Sequence, residues 1–97
     1  MKPDRDGQRA VVQLFRSLGA SVFPMNRGGK SHLPKGFPDL VILWKPVGVL
    51  FWECKRPTGK RSPEQEAFAE LCGGATASYG WGNVEDAKEF LRDLALL

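Results

Sequence analysis

The sequence has few residues of the kinds that define several protein classes. Its longest apolar run, Leu40 to Trp44, has five residues, far short of the roughly 20 that a membrane-spanning helix needs. It has two cysteines, neither in a CxxC or Cys/His cluster, which argues against a disulfide framework or a structural zinc site. The segment from Met1 to Gly7 does not resemble a secretory signal. These absences favour an intracellular protein without a membrane span.

The composition is that of an ordinary globular domain. The chain has 97 residues, of which 42% are hydrophobic and 26% are charged, and these proportions are typical of a folded protein rather than a disordered one. Residues 1–97 are therefore expected to form a single domain. Because so short a chain buries a smaller share of its surface than a larger domain does, its length also favours oligomerisation.

The charged residues are segregated along the chain. Residues 26–61 contain eight basic and two acidic residues, whereas residues 62–97 contain two basic and seven acidic ones. The central segment is suited to neutralising phosphates with release of counterions. Its two carboxylates, Asp39 and Glu53, are suited to holding a divalent cation beside a bound phosphate. The pattern favours a nucleic-acid partner, and a solvated basic surface is the plainer alternative.

Apolar periodicity, caps and turn residues predict seven elements in the order α-β-β-β-α-β-α. The strands 39–45 and 49–55 are apolar at odd and even positions alike, so we expect them at the centre of a mixed sheet that is covered on both faces. The last helix is expected to turn Leu94 and Leu97 inward. The predicted segments are a helix ending at Gly19, strand 21–25, a glycine-rich loop 26–37, strands 39–45 and 49–55, a helix from Ser62 to Gly73, strand 76–81 and a helix after Asn83.

The turn Pro46-Val47-Gly48 predicts a hairpin between the two central strands. If the hairpin pivots near Pro46, Asp39 lies opposite Glu53, with Cβ atoms roughly 4.5 to 5.5 Å apart. Lys55 projects from the same face as Glu53 because side chains alternate along a strand. Cys54 points to the other face, yet its backbone carbonyl offers a further hard oxygen ligand. Directly opposed carboxylates are destabilising without a compensating cation, so the hairpin predicts a divalent metal site.

Three segments of the sequence resemble motifs of a known nuclease family. Gly36-Phe37-Pro38-Asp39 followed by Glu53-Cys54-Lys55 is similar to the PD-(D/E)xK nuclease motif. Over almost the entire chain the sequence resembles the VRR-NUC branch of that superfamily, whose stand-alone members come from phages and bacteria. The resemblance implies an α/β fold with a restriction-endonuclease-like core, a mixed β-sheet flanked by helices. The longer matching segments are Lys35 to Leu40, Trp52 to Gly59 and Ser62 to Gln65.

The resemblance also implies an activity and assigns roles to individual residues. It implies an Mg²⁺- or Mn²⁺-dependent endodeoxyribonuclease that hydrolyses phosphodiester bonds. Asp39 and Glu53 would be metal ligands, and the Cys54 carbonyl would be a further one. Lys55 would position or activate the attacking water. Gln65 matches the family's helix glutamine, which lies near this site.

The first helix departs from the family pattern. Family members usually place a glutamate near its start, whereas this chain has Asp4, Asp6 and Gln8. Because an aspartate is one methylene shorter, Asp6 is expected to reach the metal only through a water. Gln8 matches a glutamine often found in that helix and is expected to contact the metal shell or DNA.

The basic residues around the motifs are expected to bind DNA. The resemblance to stand-alone members implies branched DNA, particularly four-way (Holliday) junctions, because two symmetric incisions suit a homodimer. It also implies the cytoplasm of a bacterial or phage-infected host cell. The predicted nucleic-acid contacts are Gln8, Arg27, Lys30, Lys35, Arg56 and Lys60.

Alternatives exist for the function and for several residues. A non-catalytic nucleic-acid-binding module would bind without nicking, and a nuclease for flaps, duplex DNA or RNA would share the same chemistry. Glu53 and Lys55 could form a surface pair, although an unpaired charge among apolar residues is costly. Gln65 could complete a capping box with Ser62. His32 could contact a phosphate, carry a proton or have no role, and the three tryptophans are expected to serve packing rather than base stacking.

Overall fold

The structure is a computed structural model that describes residues 5–25, 33–54 and 60–97. Its elements follow the order α-β-β-β-α-β-α, which confirms the predicted α/β architecture, and the strand bounds differ from the prediction by at most two residues. No described helix combines the length and hydropathy that a membrane crossing requires. The elements are α1 (Arg5–Ser17), β1 (Ser21–Pro24), β2 (Leu40–Trp44), β3 (Gly48–Cys54), α2 (Pro63–Gly73), β4 (Ser78–Gly82) and α3 (Val84–Asp93).

The four strands form one mixed sheet in the order β1-β2-β3-β4. β1 and β2 pair antiparallel, as do β2 and β3, whereas β4 lies parallel to β3. Antiparallel neighbours can be joined directly, but a parallel step requires a crossover connection, and α2 lies in that connection. β2 and β3 are the central strands, as the sequence predicts.

Helices α1 and α3 pack against one face of the sheet, which carries the even-numbered residues of β2 and β3. The Trp52 ring lies at its centre, with its centroid 6.0 Å from that of Phe15 in α1 and 5.5 Å from that of Phe90 in α3. The buried core consists of Val11, Val12, Phe15, Ala20, Val22, Leu40, Ile42, Leu50, Trp52, Ala87 and Leu91. This core fixes the hairpin register, because a shift of one residue would turn these side chains to the other face.

Helix α2 covers part of the opposite face. The Phe68 ring packs edge-on against the rings of Phe37 and Phe51, at centroid distances of 5.3 and 5.1 Å. The cover does not extend to the turn end of the hairpin, where Leu43 is 45% exposed and its register partner Val49 is 37% exposed. The prediction of a sheet covered on both faces is therefore wrong at the turn end of the face that α2 partly covers.

The last helix ends earlier than predicted. Ala95 adopts a left-handed conformation with φ of 60°, and the Leu96 N–H donates a hydrogen bond of 2.8 Å to the Leu91 carbonyl. This turn packs Leu96 against the core and leaves Leu94 48% exposed and Leu97 53% exposed. The prediction that Leu94 and Leu97 point inward is wrong because the chain leaves the helix before it can place them there.

Candidate active site

The register of the β2–β3 hairpin decides whether the two predicted carboxylates meet. Leu40 pairs with Trp52 in this antiparallel ladder. Continuing the same pairing by one residue places Asp39 opposite Glu53. Both belong to the odd-numbered set, which faces away from the α1 and α3 core. The structure therefore brings the two acids together on the face that α2 partly covers, and the predicted register is confirmed.

Asp39 is held by both neighbouring strands. Its carbonyl accepts a hydrogen bond of 2.7 Å from the N–H of Met25, the residue after β1. Its side-chain Oδ2 accepts a hydrogen bond of 2.9 Å from the N–H of Cys54, the last residue of β3. Asp39 is only 8% exposed, and the preceding Pro38 is fully buried. These contacts fix the carboxylate against the end of β3, adjacent to Glu53.

Glu53 belongs to β3, the strand that lies between β2 and β4. It is 5% exposed, and its register partner on β4 is Trp81. Its charge acts on Tyr79, two residues earlier on β4. Burial raises the pKa of Tyr79 above its ordinary value, and the negative charge of Glu53 raises this pKa further, while Arg61 opposes both effects. Glu53, Tyr79 and Arg61 therefore share one electrostatic environment.

Cys54 contributes its backbone to this environment. Its side chain packs against the core on the α1 and α3 side, and the cysteine is not in a disulfide. Its N–H binds Asp39. The orientation of the thiol agrees with the sequence prediction, and metal binding by the Cys54 carbonyl stays a prediction.

A capping box fixes the start of α2. The Ser62 Oγ accepts a hydrogen bond of 3.2 Å from the Gln65 N–H, and the Gln65 Oε1 accepts one of 2.8 Å from the Ser62 N–H. The structural alternative for Gln65 is thus confirmed. The box uses the amide oxygen of Gln65 and not its Nε2 donor, so a catalytic role for Gln65 stays a prediction that is compatible with the cap.

The loop that leads into Asp39 docks on the same helix end. Gly36 has φ of +89°, and a Cβ atom built on it would lie 2.6 Å from the backbone carbon and oxygen of Glu64 in the first turn of α2. Lys35 and Lys60, both exposed, flank this junction. Two of the predicted DNA contacts therefore lie where the loop meets the start of α2.

The other predicted site residues differ in how far the structure describes them. Gln8 is described and half-buried, in α1 on the core face of the sheet. For Asp6 the backbone belongs to α1, and the side chain is not described. Residues for which the structure gives no description are Asp4, Arg27, Lys30, His32, Lys55 and Arg56.

The structure adds residues that the sequence prediction left out of the site. The Arg61 guanidinium carbon lies 5.7 Å from the centroid of the Tyr79 ring and 5.2 Å from that of the Trp81 ring. Because Trp81 pairs with Glu53, this cation lies on the β4 side of Glu53. The proximity of Arg61 to Glu53 follows only from the register of β4 against β3, and no turn signal in the sequence specifies that register.

The similarity of this chain to known proteins lies in its structure. No protein-family model matches the sequence, and a search of curated proteins likewise finds no match. A solved structure described as "VRR_NUC domain" is similar over 91% of this chain and 91% of its own, with a TM-score of 0.68 and 24% sequence identity. The chain has the VRR_NUC fold. This likeness confirms the fold that the motif resemblance implied.

Within this VRR_NUC fold, the described donors fit a hard divalent cation. Mg²⁺ and Mn²⁺ prefer oxygen ligands, and Asp39 and Glu53 present two buried carboxylates at opposed positions. Among residues 5–25, 33–54 and 60–97, no group of three or more His, Cys, Asp or Glu side chains comes together as a metal site. Further ligands would then be backbone carbonyls, waters, substrate phosphate or residues outside the described part, a mixture that is typical of Mg²⁺.

Replacing Gly36 by alanine is expected to destabilise the fold by about 3 kcal/mol, because the new methyl group meets the Glu64 backbone and φ is left-handed. Gly48 is a matched control, since its φ is +93° and nothing lies within 4 Å of the position that a Cβ atom would occupy. Gly48→Ala should lose only the conformational part, about 1 kcal/mol. Urea unfolding of both variants measures the difference, and equal losses would contradict the Gly36–Glu64 contact.

Proposed function

We propose that this chain is a metal-dependent DNA endonuclease. The observation that carries the proposal is the pair of buried carboxylates, Asp39 and Glu53, opposed on the central hairpin of the VRR_NUC fold. Carboxylates repel a phosphate unless a cation lies between them. A buried acidic pair within a segment rich in basic residues therefore supports metal-dependent chemistry on a phosphodiester.

The roles of individual residues follow from their positions. Asp39 and Glu53 would hold one or two Mg²⁺ or Mn²⁺ ions, with the Cys54 carbonyl as a further ligand. The bound metal supplies a Lewis acid that polarises the scissile phosphate and makes a coordinated water more acidic. The hydrogen bond from Cys54 orients Asp39 before substrate arrives, which is the preorganisation that electrostatic catalysis requires. Lys55, which follows β3, would position the attacking water and stabilise the developing charge.

The proposed substrate is branched DNA, in particular the four-way junction, and the proposed acting form is a homodimer. Two symmetric incisions suit two active sites that are related by a two-fold axis. Phe23, Leu43 and Val49 are 46%, 45% and 37% exposed on one face of the sheet, and dimer interfaces bury apolar surface of this kind.

Light scattering of the wild-type protein should give about twice the monomer mass, and Leu43→Glu should halve the measured mass. A monomeric wild-type protein would contradict the dimer.

The activity is tested by incubating the protein with labelled four-way junction, flap, duplex and single-stranded DNA, and with RNA, in Mg²⁺ or Mn²⁺. Paired symmetric nicks confined to the junction are expected. Cleavage of another DNA would keep the endonuclease and reject the junction preference, and cleavage of RNA alone would reject the DNA substrate. Salt-sensitive binding without nicks in either metal would reject the enzyme in favour of a nucleic-acid-binding module.

The two roles of Gln65 can be separated by two variants. Gln65→Glu keeps an oxygen for the capping box and removes the amide donor. It should therefore retain stability and lose cleavage by about tenfold. Ser62→Ala breaks the box and should cost about 1 kcal/mol, while cleavage per folded molecule stays the same. Thermal melts and initial rates on both variants are the measurements, and wild-type cleavage by Gln65→Glu would reduce Gln65 to a structural cap.

A further inference from the structure

Arg61 is a cation held in a defined position. It lies one residue before the N-cap Ser62 and is half-buried. Its guanidinium carbon is 5.7 Å from the Tyr79 ring centroid and 5.2 Å from the Trp81 ring centroid, within the range of cation–π attraction. A guanidinium that lies over aromatic rings keeps hydrogen-bond donors along its edge. Those donors are available to a ligand at lower entropic cost than the donors of a mobile surface lysine.

The sheet places this cation on the β4 side of Glu53. Trp81 is the register partner of Glu53, and Tyr79 is the register partner of Phe51. The two aromatic side chains therefore follow one another along β4 on the face that carries Glu53. The opposite effects of Glu53 and Arg61 on the pKa of Tyr79 agree with this placement.

Among the described residues, Arg61 forms no ion pair with a carboxylate, although the charge of Glu53 acts on the same tyrosine. The ion pairs in residues 5–25, 33–54 and 60–97 join Lys88 to Glu85 and Arg92 to Glu89, both on α3. The side-chain hydrogen bonds of those ranges likewise give Arg61 no acceptor on a carboxylate. A half-buried guanidinium that forms no ion pair within the described residues is suited to an anionic ligand.

We propose that Arg61 binds a phosphate of the DNA backbone next to the Asp39 and Glu53 site, an inference that rests on the proposed endonuclease function. The planar guanidinium can donate two parallel hydrogen bonds to phosphate oxygens. A backbone approaching this site meets the charges of both carboxylates and of the exposed Glu64 at the start of α2. Arg61 supplies a fixed positive charge where this repulsion must be offset, and its contact is independent of DNA sequence.

The test compares Arg61→Gln and Arg61→Lys with Arg92→Gln. Arg92 is a matched control because it is an exposed arginine on α3, on the other face of the sheet. Fluorescence anisotropy with a labelled four-way junction, in EDTA and over a series of salt concentrations, gives the affinity without any metal. Arg61→Gln should weaken binding about fivefold to tenfold and reduce the salt slope by about one. Arg61→Lys should keep the slope with intermediate affinity because it keeps the charge and loses the planar fork.

The outcomes separate this inference from the proposed function. Arg92→Gln should stay within about twofold of wild type. The phosphate contact would be overturned if Arg61→Gln kept the wild-type affinity and salt slope. It would also be overturned if Arg61→Gln and Arg61→Lys lowered the melting temperature without changing DNA binding. Cleavage by the wild-type protein in Mg²⁺ is scored separately. Its absence would reject the endonuclease, while the salt slope would still decide whether Arg61 binds phosphate.

Discussion

An Asp39→Asn variant is expected to lose DNA cleavage by about 100-fold or more while it remains folded and able to bind DNA. Asparagine keeps a side-chain oxygen that can accept the hydrogen bond from the Cys54 N–H, so the loop before β2 should stay in place. It removes the negative charge that would hold the metal. Removing a negative charge beside a phosphate should not weaken binding. Single-turnover cleavage of labelled junction, with anisotropy and a thermal melt, measures all three properties.

Asp93→Asn is the matched control for this experiment. Asp93 is an exposed aspartate at the end of α3, so the same chemical change there should leave cleavage within about twofold of wild type. Lys55→Ala is expected to resemble Asp39→Asn in losing cleavage and retaining the fold. Wild-type turnover by Asp39→Asn would remove Asp39 from the site.

A Gly80→Ala variant is expected to lose about 3 kcal/mol or more of stability, because the core has no room for the added methyl group. A Cβ on Gly80 would collide with the Trp52 ring, and it would lie 2.5 Å from Cε3. The ring cannot retreat, because Phe15 and Phe90 pack against it and its Nε1 donates a hydrogen bond of 3.2 Å to the Gly82 carbonyl. The melting temperature should fall by about 12 °C or more.

Gly73 supplies the control for this prediction. It ends α2, and nothing lies within 4 Å of the position that its Cβ would occupy. Gly73→Ala should therefore change the free energy of unfolding by less than about 0.5 kcal/mol. Urea unfolding of the two variants gives the comparison. Equal stability of Gly80→Ala and Gly73→Ala would contradict the close approach of Trp52 to β4.

The hairpin and its acids could be predicted because local signals specify them. The turn at Pro46 sets the pivot, and two apolar strands of matching length flank it. Once the pivot is known, side-chain alternation fixes that Asp39 and Glu53 share a face. The capping box of Ser62 and Gln65 is equally local, since both partners lie within one helical turn.

The neighbourhood of Arg61 could not be predicted because it depends on a non-local pairing. β4 joins β3 in parallel after a crossover through α2, and neither strand carries a turn signal that specifies which residues pair. The positions of Trp81 and Tyr79 beside Glu53 follow only from that register. The end of α3 could not be predicted for a different reason. Helical periodicity continues in the sequence through Leu97, although the backbone leaves the helix at Ala95.

The pairing of Leu40 with Trp52 makes folding and site assembly one event. In the unfolded chain, 13 residues separate Asp39 from Glu53. A slip of one residue would bury Glu53 in the core, and a slip of two would keep the faces but move the acids about 7 Å apart along the strands. Metal affinity would then depend on the register of the two strands. A bound cation would selectively stabilise correctly paired molecules by mass action. The core thus disfavours mispaired hairpins, and the cation would further stabilise the correctly paired hairpin.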